Sequence, residues 1–213
     1  MLLMELNQTV VSQVKQAQAQ LLVVTKYYDK PTTLEIIKAC KANTSVIGWG
    51  ENRTSGLTLK ALPRAQTHFI GRLQSRQLPV IVEHCETIHS LASLKHAAKI
   101  NAICEQNNYS KIKVYIQVNV AGDPSKEGIT PEVLPDFLKS LAPYTHLNLV
   151  GLSSMGWGEF EVSDKIAEFK NLIQLRDTYI PKGLTSAGTS RDYQIALAQG
   201  INVVRVGQAL LAT

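Results

Sequence analysis

The sequence predicts an α/β fold, a single (β/α)8 TIM barrel over residues 1–213 with one additional N-terminal helix, and three observations carry that reading. Short apolar segments with the look of buried strands recur eight times along the chain. Segments of helical spacing separate them without a break, the alternation of a parallel barrel. The length and a 45% hydrophobic content suit one soluble globular domain that buries a substantial core. An open doubly wound sheet is the alternative. It ranks second because Gly48-Trp49-Gly50-Glu51-Asn52-Arg53 does not complete a dinucleotide fingerprint, and no other glycine cluster does better.

In order along the chain, residues 4–19 place Leu6, Val10, Val14 and Ala17 at helical spacing among Gln, Ser and Lys, an amphipathic helix that packs outside the barrel or plugs one end. The first strand is Leu21-Leu22-Val23-Val24, ending at Thr25-Lys26. Pro31-Thr32-Thr33 starts a helix that reaches Ala42, and Ser45–Gly50 is the second strand. A helical segment opens at Glu51-Asn52-Arg53, and Thr67–Gly71 is the third strand. Gln74–His84 reads as a helix that Pro79 should distort or restart. The strand Glu86–Leu91, the helix Ser93–Gln106 and the strand Val114–Val120 follow, the last being the clearest strand signal in the chain. A loop rich in turn residues, 122–128, leads to the helix Pro131–Leu141. The strand Leu147–Ser153, the helix Glu161–Tyr179, the strand Gly183–Ala187, the helix Ser190–Gln199 and the strand Val203–Val206 complete the alternation. Two Gly-Trp-Gly triplets, at 48–50 and 156–158, are too short to count as a repeat.

Composition removes several function classes. No apolar run is long enough to span a bilayer, and Met1-Leu2-Leu3-Met4-Glu5 lacks the basic and apolar regions of a signal peptide, so a cytoplasmic protein is expected. Cys40, Cys85 and Cys104 are odd in number and widely spaced, which suggests core or partly buried thiols, not a disulfide framework or a zinc site. His84 and His89 have no third ligand nearby, so no metal is expected. The net charge of +5 is scattered and only 6% of residues are aromatic, which favours solvated surface charge over a nucleic-acid site and slightly favours a phosphorylated ligand. There is no nucleophile elbow, no phosphate loop and no His-Glu-x-x-His pair.

The chemistry begins at Lys26. A lysine closing a buried strand has its charged form disfavoured, which makes the amine a nucleophile toward an aldehyde. The alternative is a surface lysine that follows a strand by chance. Thr185-Ser186-Ala187-Gly188-Thr189-Ser190 passes from strand into helix with small hydroxyls, a glycine and helix N-terminal amides, a pattern that binds anions, although an ordinary N-cap at Thr189 or Ser190 would look the same. Arg205-Val206-Gly207-Gln208 closes the next strand, with Gly207 permitting close backbone approach and Gln208 starting the last helix. Barrels commonly hold phosphate after strands seven and eight, beside strand one. An aldehyde with a phosphate tail would span the two.

At these positions the chain resembles the pyridoxal phosphate homeostasis proteins, single-domain relatives of the alanine racemase barrel. The resemblance rests on Val24-Thr25-Lys26, Gly50-Glu51-Asn52-Arg53, the run from His68 to Ser75, Ile88-His89-Ser90-Leu91, Gln117-Val118-Asn119-Val120, the run from Ser186 to Asp192, and Val204-Arg205-Val206-Gly207. It departs from the family at Ala187 and Thr189, which stand where the family has methionines, at Trp49 in place of Phe, and at Ser153-Ser154 before Met155. What it implies is pyridoxal 5'-phosphate held as a Schiff base on Lys26, its phosphate on Ser186 or Ser190, Gly188, Thr189, Gly207 and Gln208. Arg205 would face the pyridine nitrogen and, being always charged, leave it unprotonated, which weakens the cofactor as an electron sink. A salt bridge to Glu51 is the structural alternative for Arg205. Asn52 would bond near the ring and Met155 pack on its face, unless Met155 is plain core.

The resemblance therefore implies a cofactor carrier in vitamin B6 homeostasis with little catalysis, a monomer, with apo-enzymes as recipients. An amino-acid racemase is the rival. Two-base racemisation needs a group on each face of the cofactor; the two-domain racemases draw one from a second domain, and here Tyr27, Tyr28 or His68 would have to serve. A cofactor-free aldolase using Lys26 or Lys126 is a third reading.

Overall fold

The computed structural model describes residues 5–123, 125–155 and 161–211. Eight strands, β1 (Gln20–Val24), β2 (Val46–Glu51), β3 (Thr67–Phe69), β4 (Thr87–Leu91), β5 (Ile112–Gln117), β6 (Leu147–Ser153), β7 (Leu184–Ser186) and β8 (Val203–Val206), form a closed barrel in chain order. All pairings are parallel, and β1 closes the ring by pairing with both β2 and β8. β1, β4, β5 and β8 are almost wholly buried, as strands covered on both faces should be.

The helices cover the outside: α1 (Gln8–Gln16), α2 (Lys30–Cys40), α3 (Thr54–Lys60), α4 (Leu78–His84), α5 (Leu94–Gln106), α6 (Leu134–Leu141), α7 (Val162–Tyr179), α8 (Tyr193–Gln199) and α9 (Gln208–Leu211). The additional helix, α1, plugs nothing. Capped by the Asn7 side chain, it buries Val10 and Val14, and the Asn7 amide donates to the Leu210 carbonyl at 2.8 Å while Tyr193 reaches Gln13 at 2.8 Å. It thus straps α8 and α9 from outside.

Several boundaries move from the sequence reading, each for a local reason. The helix expected from Gln74 begins at Leu78, with Pro79 in its first turn, where a missing amide costs nothing. Strand β5 spans 112–117, not 114–120, because beyond Gln117 the Asn119 amide turns to the Ile129 carbonyl. β3 ends at Phe69, and an added side chain at Gly71 would collide with the backbone of Asn52. The helix expected from Ser190 starts at Tyr193, since Asp192 draws the preceding turn closed. The second Gly-Trp-Gly triplet, 156–158, lies outside the described residues. Cys40, Cys85 and Cys104 are free and buried, and burial pushes the Cys40 thiol up to about 11. Among the described residues, no helix is long and apolar enough to cross a membrane.

Candidate functional site

A cavity of about 420 Å3 opens where the carboxyl ends of the strands meet, within the range of about 300–1,000 Å3 typical of small-molecule sites. Lys26, Arg72, Arg191 and Arg205 line it, and among the described residues no Asp or Glu does. Asn52 from the end of β2 and Met155 from beyond β6 complete its floor and rim with Thr189, Ser190, Gly207 and Gln208.

Lys26 is positioned by the residue before it. The fully buried Thr25 donates its amide to Gly50 at 3.1 Å and its hydroxyl to Glu51 Oε1 at 2.6 Å, and its carbonyl accepts from Lys60 Nζ at 2.7 Å. Lys60 and Glu51 form a buried ion pair at 2.5 Å, which satisfies both charges. Beyond this anchored residue Lys26 is half-buried, its Nζ 4.8 Å from the centre of the Tyr27 ring. Glu51 is therefore the partner of Lys60, and the expected salt bridge from Glu51 to Arg205 is absent: the two belong to different walls.

Arg205 stands on β8 inside the barrel mouth, 4% exposed. Its Nη1 donates to the Ser186 carbonyl at 2.7 Å and to Ser186 Oγ at 3.1 Å, and its Nη2 donates to the Ser154 carbonyl at 2.7 Å. Burial brings its pKa down to about 10 against the opposing pull of Asp192, Glu168 and Tyr115, so it remains a cation at neutral pH. Behind it, the buried Lys165 sits 2.7 Å from Glu168 and 3.4 Å from Asp192, and Glu168 accepts from Ser154 Oγ at 2.9 Å.

Of the turn expected to bind an anion, only Thr189 and Ser190 line the cavity. Ser186 does not reach the cavity: it ends β7 pointing into the barrel and is fully buried against His89 and Arg205. Gly188 also lies off the cavity. Its φ of +83° and the 2.6 Å that would separate an added Cβ from Ala196 make it a turn and packing residue, while its carbonyl accepts from the Arg205 amide at 2.8 Å. Thr189 lines the cavity, but its amide and hydroxyl both donate to Asp192 Oδ1, at 2.6 and 2.9 Å. Ser190 is better disposed, because its Oγ accepts from the amides of Gly207 at 3.3 Å and Ala209 at 3.2 Å, leaving its own proton to donate. Gly207 has a further reason to lack a side chain: an added Cβ would lie 2.7 Å from the Val24 carbonyl at the end of β1.

Met155 is 42% exposed at the cavity rim, which excludes a plain core role. His68 does not line the cavity. It is buried within the barrel, 2.9 Å from His89, and burial lowers its pKa to about 4. Tyr27 lines the rim, 60% exposed; Tyr28 faces a neighbouring groove, and Lys126 lies in the loop after β5, away from the cavity. Sequence reasoning missed Lys60, Lys165, Glu168 and Asp192 as the groups that hold the site: Lys60 meets Thr25 and Glu51 only in the fold, and the i,i+3 spacing of Lys165 and Glu168 looks like that of an ordinary surface pair.

The residues present fit a phosphorylated aldehyde: one cavity offers the primary amine of Lys26, the Ser190 hydroxyl that the Gly207 amide orients, and an excess of cationic side chains. The chain is a parallel (β/α)8 barrel with this cavity at its carboxyl-end mouth, and the family model for the alanine racemase N-terminal domain matches residues 4–213, which makes it an alanine racemase-type barrel. The pyridoxal phosphate homeostasis protein of Schizosaccharomyces pombe is 31% identical over 204 residues, covering 91% of this chain and 83% of that one. The chain belongs to the pyridoxal phosphate homeostasis protein family. PipY of Synechococcus elongatus, solved without pyridoxal phosphate, superimposes with a TM-score of 0.80 at 26% identity over 95% of this chain and all of its own. The structure of PipY with pyridoxal phosphate bound gives a TM-score of 0.78 at 24% identity over 95% of this chain, a likeness of fold.

Proposed function

We propose that this chain binds pyridoxal 5'-phosphate covalently through Lys26 and holds it for intracellular vitamin B6 homeostasis, with little or no turnover of its own. The observation that carries the reading is a single cavity lined by a lysine amine, by Ser190, Gly207 and Gln208, and by no carboxylate among the described residues. When bound, the ligand supplies an aldehyde that condenses with a primary amine and a phosphate that seeks N–H and O–H donors. Ser190, Gly207 and Gln208 would hold the phosphate, with Thr189 shaping the wall through Asp192. Arg205 would face the ring nitrogen, with Asn52 beside the ring and Met155 against it. A relative named as a homeostasis protein and a fold neighbour solved with pyridoxal phosphate support the reading. We further propose a cytoplasmic monomer that passes the ligand to apo-enzymes.

The racemase rival needs an acid or base on each face of the substrate. Among the described residues, Tyr27 and Lys26 are the proton-transfer groups of the cavity wall, and His68 is withdrawn into the barrel. Arg205 holds its proton throughout the ordinary pH range. Two measurements separate the readings. Titration with pyridoxal 5'-phosphate should give a saturable absorbance band that borohydride abolishes. With L-alanine or L-serine in heavy water, α-deuterium exchange should stay far below about 1 per second; exchange with inversion at or above that rate makes the protein a racemase.

A further inference from the structure

The barrel interior contains a hydrogen-bonded chain that leads to Arg205 and touches no part of the cavity before it. His68 on β3 and His89 on β4 approach to 2.9 Å between Nδ1 and Nε2. His89 Nδ1 lies 2.9 Å from Ser186 Oγ, which accepts from Arg205 Nη1 at 3.1 Å. None of the four residues is more than 7% exposed, and Tyr115 stacks on the His89 ring with centroids 4.4 Å apart.

The direction of each bond follows from the guanidinium, which can only donate. Ser186 Oγ therefore accepts from Arg205 Nη1, and its own proton is left to donate to His89 Nδ1. In a neutral imidazole one nitrogen donates and the other accepts, so His89 carries its proton on Nε2. His89 Nε2 then donates to His68 Nδ1, which puts the proton of a neutral His68 on its Nε2. With that proton turned away, Ser186 Oγ presents lone pairs to the guanidinium. A proton on His89 Nδ1 would make Ser186 Oγ accept twice and leave its buried hydroxyl proton without the partner it has here. Burial, with His68 and Arg205 nearby, keeps His89 well below the usual imidazole range, consistent with the neutral ring.

We propose that His89, which accepts the Ser186 hydroxyl proton and donates to His68, is a positioning residue for Arg205: it holds the Ser186 hydroxyl as an acceptor and so fixes the guanidinium at the cavity wall. The inference concerns the protein before any ligand is added. Toward pyridoxal 5'-phosphate it rests on the reading above, in which Arg205 meets the ring nitrogen.

The test uses full-length protein labelled with 15N at arginine and histidine. In the wild type, imidazole nitrogen shifts should report protons on Nε2 of both His68 and His89. The Arg205 Nε–Hε signal, identified by its loss in Arg205→Lys, should be resolved and protected from exchange. Ser186→Ala and His89→Leu should speed that exchange about fivefold or more. His89→Asn, which places an acceptor oxygen near the lost Nδ1, should restore protection although it fills the core less well than Leu. Folded Ser186→Ala with Arg205 protection unchanged, or a proton on Nδ1 of His89, overturns the proposal. A binding arm separates this from the reading of the site: Ser186→Ala should weaken pyridoxal 5'-phosphate about fivefold or more and leave inorganic phosphate unchanged. If the wild type binds neither, the functional reading fails while the exchange results still decide the role of His89.

Discussion

Two buried charge clusters stand behind different walls of the cavity, and they are balanced in different ways. Behind Lys26, one carboxylate meets one ammonium, Glu51 and Lys60, and Thr25 satisfies both. Behind the β7–β8 wall, Lys165 faces two carboxylates, Glu168 and Asp192, and the guanidinium of Arg205 supplies the second positive charge they act upon. Lys26 is therefore outside its local charge balance, whereas Arg205 is inside its own. The first wall can spend its lysine on a covalent bond; the second cannot lose its cation without leaving buried charge uncompensated.

The largest expected effect follows directly. Arg205→Met should lower the unfolding free energy by about 3 kcal/mol or more, because breaking a buried charge arrangement from one side leaves the other side unpaired. Lys60→Met should cost a similar amount by exposing Glu51, and Glu51→Gln added to it should recover part of the loss. Urea unfolding of the wild type, the two single variants and the two double variants that add Glu51→Gln to each checks both walls; a full recovery of Arg205→Met by Glu51→Gln would mean that the clusters are one.

Next in size is an acid effect. The folded-state pKa of His68 is lowered from 6.5 to about 4, so the unfolded chain binds the proton first. Its contribution is complete above pH 6.5 and is lost as pH falls toward 4, a span worth up to about 3 kcal/mol. His89 shifts in the same direction. Unfolding free energy measured between pH 7 and 4 should fall, and His68→Gln should flatten that slope (about one histidine's worth).

A smaller effect is expected at the seam of the two walls. Gly207→Val should cost about 1–3 kcal/mol and weaken ligand binding, since its Cβ meets the Val24 carbonyl two residues before Lys26. Wild-type affinity and stability in that variant would contradict the close packing of β8 on β1.

The barrel was legible because short, largely apolar strands such as Gln20–Val24 and Val203–Val206 alternate with segments of helical spacing along the whole chain. Lys26, Asn52, Arg205, Gly207 and Gln208 were legible because a strand's carboxyl end faces the barrel mouth. Ser186 and Gly188 misled for a geometric reason: the run from Thr185 to Ser190 reads as one anion-binding turn, yet β7 ends with Ser186 aimed inward and Gly188 packed on α8. Which residues of such a turn face the mouth depends on barrel curvature, and sequence spacing does not encode it. The His68–His89–Ser186 chain joins three strands, each contributing one inward polar residue, so only the register, with His68 opposite Thr87, brings them together. Lys165 had only its i,i+3 spacing to Glu168 as a signal, and such a pair in a long helix looks like any surface pair until α7 is seen against Asp192.

The smallest stability effect belongs to the residue with the largest functional one. Lys26→Ala should change stability by no more than about 0.5 kcal/mol, as a half-exposed side chain outside both clusters, and should retain weak binding through Ser190, Gly207 and Gln208. The most direct test of the account is to incubate wild-type and Lys26→Ala proteins with pyridoxal 5'-phosphate, reduce with borohydride and map the modified peptide by mass spectrometry. The account predicts one stoichiometric phosphopyridoxyl group on Lys26 and none in the variant; a reducible adduct retained in Lys26→Ala, or mapped to Lys126 in the wild type, would contradict it.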